Sequence, residues 1–299
     1  MKLLESLVIR GRARARARLN RGDRPARLDI RLDDLDAPGV VPDGALDLDG
    51  WQARIVEVVQ WAGAMPVRIV SRADHELLPD IIRFCHRLEM PTSLRTNARG
   101  LDRRKAEELV DRGLGECILR VAGLDDQIQG EILGDSASEA DVAIGALVLA
   151  RHSRVAQIGV VVEIPFDART ARGVRSLIAW ARGKGADAVT LASPFRGSPT
   201  DAYMNEAIEV YEDESAPFRR TNRAVLARIE RLDGVGAPRP GGRCPVSSRL
   251  ELLPDGSARS CPFKAGRGEG AIAEAWAALA GQRGEIANCD RSCGHPELA

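Results

Sequence analysis

Long apolar runs are missing from this 299-residue chain. No stretch approaches the ~20 apolar residues that a bilayer crossing requires. The opening MKLLESLVIRGR is too short in apolar character for a secretory leader and carries Glu5 inside it. A cytoplasmic protein without a membrane partner is the expectation, and there thiols stay reduced and serve as ligands or packed hydrophobes. Net charge is missing too: 43 Lys and Arg balance 43 Asp and Glu, so no long-range pull towards nucleic acid is expected. Aromatic residues make up only 4%. The familiar hydrolase and nucleotide signatures are absent: the chain has no G-x-S-x-G, no Walker loop, no H-E-x-x-H and no glycine triplet following a strand. No cysteine precedes Cys85.

What is present is a soluble α/β composition, with 44% hydrophobic and 29% charged residues. From about residue 51 to 232, helical stripes alternate with short β-rich runs, the pattern of parallel βα units. Strands are expected at 26–34, 66–72, 91–98, 116–123, 157–165 and 188–195. Helices are expected at 50–63, 76–88, 101–113, 137–153 and 171–185. Six such units build either a partial barrel or an open doubly wound sheet. The segment LDGVGAPRPGGR (232–243) is dense in Gly and Pro and reads as a linker. The expected organisation is a basic arm over 1–25, a barrel-like domain over 26–235 and a small cysteine-rich domain over 236–299. In the arm, Arg10, Arg12, Arg14, Arg16 and Arg18 fall at every second position, which a strand would gather on one face. A solvated arm and a basic ribbon for an acidic partner are the two readings.

Four of the six cysteines, Cys244, Cys261, Cys289 and Cys293, crowd into the last 56 residues. Cys85 and Cys117 fall in an expected helix and strand and read as small buried hydrophobes. The C-terminal four have polar, Gly- and Pro-rich surroundings that supply too little apolar surface for a core, so a metal is expected to cross-link them. Tetrahedral zinc and an iron–sulfur cluster both take four thiolates. Neither pair shows the C-x2-C turn usual for zinc: Cys244 and Cys261 flank a hairpin with a Pro-Asp-Gly turn, and Cys289 and Cys293 are spaced C-x3-C. His295 is a spare ligand candidate or a solvent-exposed terminal side chain.

Cys244, eleven residues, Gly256, four residues and Cys261 form a pattern that resembles the opening of SPASM and twitch domains, the C-terminal extensions of radical S-adenosylmethionine (SAM) enzymes. Cys289 and Cys293 resemble the closing C-x3-C of that module, while the middle cysteines of a full SPASM domain are missing. The resemblance implies one auxiliary [4Fe–4S] cluster, with zinc as the alternative. Residues 78–126 resemble the second to fourth units of the radical SAM partial (β/α)6 barrel. Thr96 and Asn97 keep the Thr-Asn-Gly strand end, and Ala98 replaces the glycine. The resemblance extends over about 26–299.

The defining element of that family is missing. Its C-x3-C-x2-C loop should lie within 33–50, where there is no cysteine. Three thiolates with one open iron are what would chelate and reduce SAM, so the ordinary radical reaction is excluded. The Gly-Gly-Glu-Pro-like turn that holds the methionyl amine is here Ser71-Arg72-Ala73-Asp74. Asp74 and Asn97 are the residual cofactor-site candidates, but SAM is not the expected ligand. Asp74 reads more simply as a helix cap. The acidic stretch with Asp33, Asp34, Asp36, Asp43, Asp47 and Asp49 lacks the bidentate Glu of a calcium loop and reads as solvated. Three functional readings follow. The chain is an accessory iron–sulfur protein that presents substrate or relays electrons beside a partner enzyme in peptide or natural-product modification; or it is an unconventional enzyme using its single cluster or another metal; or it is a zinc-stapled binding module.

Overall fold

The computed structural model describes residues 24–35, 44–153, 158–166, 168–192, 206–214, 249–259 and 268–279. Six parallel strands, β1 (Arg27–Arg31), β2 (Val67–Val70), β3 (Thr92–Thr96), β4 (Glu116–Arg120), β5 (Gly159–Pro165) and β6 (Ala188–Ala192), lie side by side in chain order. That order decides between the two expected architectures. A doubly wound sheet reverses its strand order at a switch point and carries helices on both faces. A monotonic order with right-handed crossovers places every helix on one face and curls the sheet into a barrel wall.

The connecting helices are α1 (Leu48–Ala62), α2 (Leu78–Arg87), α3 (Arg103–Asp111), α4 (Asp126–Leu133), α5 (Ala137–Ser153) and α6 (Val174–Lys184), and a further helical segment, α7, covers 206–214. Their starts are written in side chains. Asp47, Asp102 and Asp125 each accept from the backbone N–H three residues on, at 2.8, 2.7 and 2.8 Å, satisfying donors that the first helical turn leaves open. Ahead of α5, Ser136 Oγ accepts from Glu139 N and the Glu139 carboxylate accepts from Ser136 N, a reciprocal capping box. On α2, Leu78, Ile81, Ile82 and Cys85 recur at helical spacing and are fully buried against the sheet. Burying each such aliphatic side chain stabilises the fold by roughly 1.5–3 kcal/mol.

The sequence did not announce α4. It is short, polar and interrupted by Gly130, and it holds together through the Asp125 cap and the left-handed Gly134 that closes its end. The expected hairpin forms from β7 (Arg249–Leu252) and β8 (Ala258–Arg259), turning on Gly256 at φ 78°. β7 does not stand apart from the barrel: it pairs in parallel with β1, making β6-β5-β4-β3-β2-β1-β7-β8 one sheet. α8 (Ile272–Ala278) then packs on α1, with Trp276 and Trp61 rings 6.2 Å apart. Arg54 on α1 donates to the Gly256 and Gly270 carbonyls, and Glu57 accepts from Ile272 N. Among the described residues no helix is long and apolar enough to cross a membrane.

Candidate functional site

One face of the sheet is apolar and the other is charged. Leu28, Ile30, Ile69, Leu94, Val160 and Val162 belong to the large core under the helices. The opposite face follows from register. Asp29, Arg68, Ser93 and Glu116 form one cross-strand row, extended on the other side of β1 by Glu251 and Arg259. Arg31, Val70, Arg95, Ile118, Val161 and Ala188 form the next, whose last three make a separate small apolar cluster. Arg27 lies opposite Arg249, and Arg120, Glu163 and Thr190 share a further row. Side chains of a strand alternate between faces, so every charged residue on the eight strands projects from this one surface, the concave wall of the barrel.

These charges are interlocked. Arg27 donates to both oxygens of Asp29 at 2.6 and 3.0 Å, and Arg249 stands 4.0 Å from the same carboxylate. Burial pushes the Asp29 pKa up, but Arg27, Arg249 and Arg68 outweigh it and hold the group below the usual carboxylate range. Glu163 accepts from Arg95 at 2.6, 2.9 and 3.0 Å and faces Arg120 at 3.6 Å. Burial raises its pKa as well, and Arg95 and Arg120 reverse the shift, so it too stays ionised. Glu251 accepts from Arg31 at 3.0 Å and pairs with Arg259. The side chains of Arg31, Arg95, Arg249 and Arg259 keep 18–24% of their surface open, whereas Arg27 keeps 1%.

At the C-terminal ends of the strands the loops are tied by a network built around two side-chain amides, Asn97 and Gln129. Asn97 donates to the carbonyls of Leu133 and Leu35 at 3.0 and 3.4 Å and accepts from Arg120 at 3.3 Å. Gln129, fully buried, accepts from Ala122 N and Gly123 N and donates to Asp135, which accepts in turn from Ala98 N. Burial pushes the Asp135 pKa up, against the pull of the Ala98 and Gln129 hydrogen bonds.

The structure assigns local roles to the sequence candidates. Asn97 acts as a strut that joins the ends of β1, β3 and α4. Asp74 does not cap α2. The cap position is Leu77, with no side-chain bond, because α2 begins four residues after Asp74 and His75 Nδ1 accepts from Leu77 N instead. Asp74 stands 3.6 Å from Arg72 Nε, while Asp33 lies 3.7 Å from the same nitrogen and accepts from Arg72 N and Ser71 Oγ. The loop after β3 presses on Asp74: a Cβ on Gly100, at φ 75°, would sit 2.8 Å from Asp74 Cβ. Within the acidic stretch Asp34, Asp47 and Asp49 are open to solvent, as expected, with Asp47 also capping α1, while Asp33 is partly buried and links two loops. Asp36, Asp43, the arginine arm and the four metal candidates Cys244, Cys261, Cys289 and Cys293 lie outside the described residues. Among the described residues no group of three His, Cys, Asp or Glu could hold a metal. Cys85 and Cys117 are fully buried, free thiols; burial pushes the first up to about 12 and the second higher still, with Glu116 adding to it.

The charged wall was missed at the level of sequence. Its signal was there in RLDIR and RLEL, where Arg, Asp and Glu alternate with apolar residues inside strands that pair on both sides.

No protein-family model matches the sequence, and no curated protein does either. Solved structures do. Streptococcus suis SuiB bound to S-adenosylmethionine is 13% identical with a TM-score of 0.59, over 86% of this chain and 64% of that one. SuiB bound to the precursor peptide SuiA gives 12% and 0.62, over 86% and 65%. Native anSMEcpe with bound AdoMet gives 15% and 0.60, over 90% and 88%. The fold is the radical SAM partial barrel. At these identities the likeness is one of fold, and the chain spans just under two thirds of SuiB's length.

Proposed function

We propose that this chain is an iron–sulfur protein built on the radical SAM barrel without the SAM-cleaving cluster, acting as an accessory subunit beside a partner enzyme in peptide modification. The observation that carries the reading is the state of the β1 and β2 loops. The connection from β1 to α1 contains no cysteine, and the turn where the resemblance puts an amine site is closed by the Arg72 guanidinium between Asp33 and Asp74. An incoming ammonium would compete with the Arg72 guanidinium for the Asp33 and Asp74 carboxylates, which weighs against a sulfonium amino acid as ligand. Cys244, Cys261, Cys289 and Cys293 are the residues that would hold one [4Fe–4S] cluster, which when bound supplies one-electron transfer. The hairpin supports that ligand set: its open end at Arg249 and Arg259 is five residues after Cys244 and two before Cys261. A peptide partner is supported by the neighbours' company, since SuiB and anSMEcpe have both been crystallised with peptides.

The test is anaerobic purification with iron, sulfide and zinc analysis, EPR of the reduced protein, and equilibrium dialysis with labelled SAM. About four irons and four sulfides per chain, lost in Cys244→Ala, with no SAM retained, is the expected result. Colourless protein with one tightly held zinc would establish the stapled binding module instead. Retained SAM would remove the reading of the Arg72 turn.

A further inference from the structure

Among the described residues three large apolar side chains stand mostly open, and two of them share one helix: Val142 is 60% exposed and Leu149 52%. They lie on α5 along one stripe that runs Ser138, Val142, Gly145, Leu149. The next helix repeats the spacing in small residues, with Ser176, Ala179 and Gly183 on the exposed side of α6. Asp141 ties the two helices together, accepting from Trp180 Nε1 at 3.1 Å and from Lys184 Nζ at 2.7 Å, so the stripes form one continuous face.

The glycines on this face call for a cause. A glycine within a helix forfeits roughly two- to fivefold in the folding equilibrium against alanine. Neither Gly145 nor Gly183 has the positive φ that favours glycine, and among the described residues a Cβ built on either meets nothing within 4 Å. What a bare backbone offers outward is close approach by another helix, at the ~8 Å end of the usual interaxial range. The stripe is also its own complement. Gly145 lies three residues after Val142 and four before Leu149, so a second α5 laid antiparallel across it sets Val142 of each copy against Leu149 of the other. Charge agrees with that direction: Glu139 stands in the first turn of α5 and Arg151 and His152 in the last, so acidic ends meet basic ends and the opposed helix dipoles add to the attraction. At 1.5 Å per residue α5 is about 25 Å long, and with α6 about 10 Å away the face covers roughly 500 Å², the low end for specific pairing.

We propose that this chain pairs with a second copy of itself through the outer face of α5 and α6, the two α5 helices crossing antiparallel at Gly145. The pairing does not rest on the cluster or the accessory role proposed above. The full-length protein, kept reduced so that thiol cross-links do not contribute, is followed by sedimentation velocity and should pass from monomer to dimer between about 1 and 200 µM. The double variant Val142→Lys, Leu149→Lys should stay monomeric throughout with the circular dichroism of wild type, since both sites are exposed. Gly145→Ala separates pairing from folding. At about 1 µM its Tm should rise by about 1–4 °C because the helix gains propensity, while dimer affinity falls about tenfold because the added methyl fills the crossing point. Ala277→Lys, exposed on α8, leaves pairing unchanged. A chain still monomeric at about 200 µM, an equally tight dimer in the double lysine variant, or a Gly145→Ala dimer no weaker than wild type overturns the proposal.

Discussion

Replacing Glu163 by Gln keeps the shape of the side chain and removes the charge that Arg95 grips with three contacts of 2.6 to 3.0 Å and that Arg120 faces at 3.6 Å. The carboxylate is 10% exposed, so solvent screens little of the change. Removing one member of a buried pair costs about 3–5 kcal/mol, chiefly because a guanidinium is left facing an amide that cannot neutralise it. At about 2–4 °C per kcal/mol for chains of this size, Tm should fall by roughly 6–20 °C at neutral pH. Acid supplies a second signature. The Glu163 pKa is lowered from 4.5, so its contribution is complete above that value and is lost as pH falls through the folded pKa. Wild type and Glu163→Gln should therefore converge in stability in acid and diverge above it. Calorimetry or urea unfolding at several pH values measures this, with Arg95→Met and the double variant completing a thermodynamic cycle. A neutral-pH loss under 1 kcal/mol, a gap that does not close in acid, or strict additivity in the double variant would refute the reasoning.

Gln129→Leu removes the shared acceptor of Ala122 N and Gly123 N and the donor to Asp135, all buried, and should cost about 2–4 kcal/mol by urea unfolding, with faster hydrogen exchange at the two freed amides. Gly268→Ala would set a Cβ 2.8 Å from the backbone Cα of Ala275, so the contact between the end of the hairpin and α8 should loosen by about 1–3 kcal/mol and become protease-sensitive before the barrel does. Cys85 and Cys117 should resist iodoacetamide in the native protein at pH 8 and react only after denaturation, since burial keeps both thiols protonated; mass spectrometry of labelled peptides reads this directly.

Much of the scaffold was legible from periodicity, as in the apolar stripe of α2, whereas the capping aspartates ahead of α1 and α3 went unread. The reading failed at α4, which has too few apolar positions to show a stripe; it is held by local bonds of Gln129 and by the longer-range bonds of Asn97 with Leu133 and of Ala98 with Asp135. Asp74 was read as a cap from its place before a helical run, yet the first turn of that helix begins later and Arg72 is the nearer partner. The charged wall stayed hidden for a different reason. Alternation of charged and apolar residues ordinarily marks a strand with one face in water. Only the register of the neighbouring strands reveals that these charges gather on one largely enclosed face. The tail cysteines lie outside the described residues, and the cluster they would hold is a proposal for iron analysis to test.

The pairing of β7 with β1 joins Leu252 to Ile30, partners separated by most of the polypeptide. During synthesis, therefore, the first barrel strand waits with one row of backbone N–H and C=O groups uncovered until well over two hundred further residues have left the ribosome. An unprotected parallel edge held open that long invites association with other nascent chains or capture by a chaperone. A truncation ending shortly after β6 should expose that edge permanently, and its solubility would report how much the returning hairpin protects the molecule.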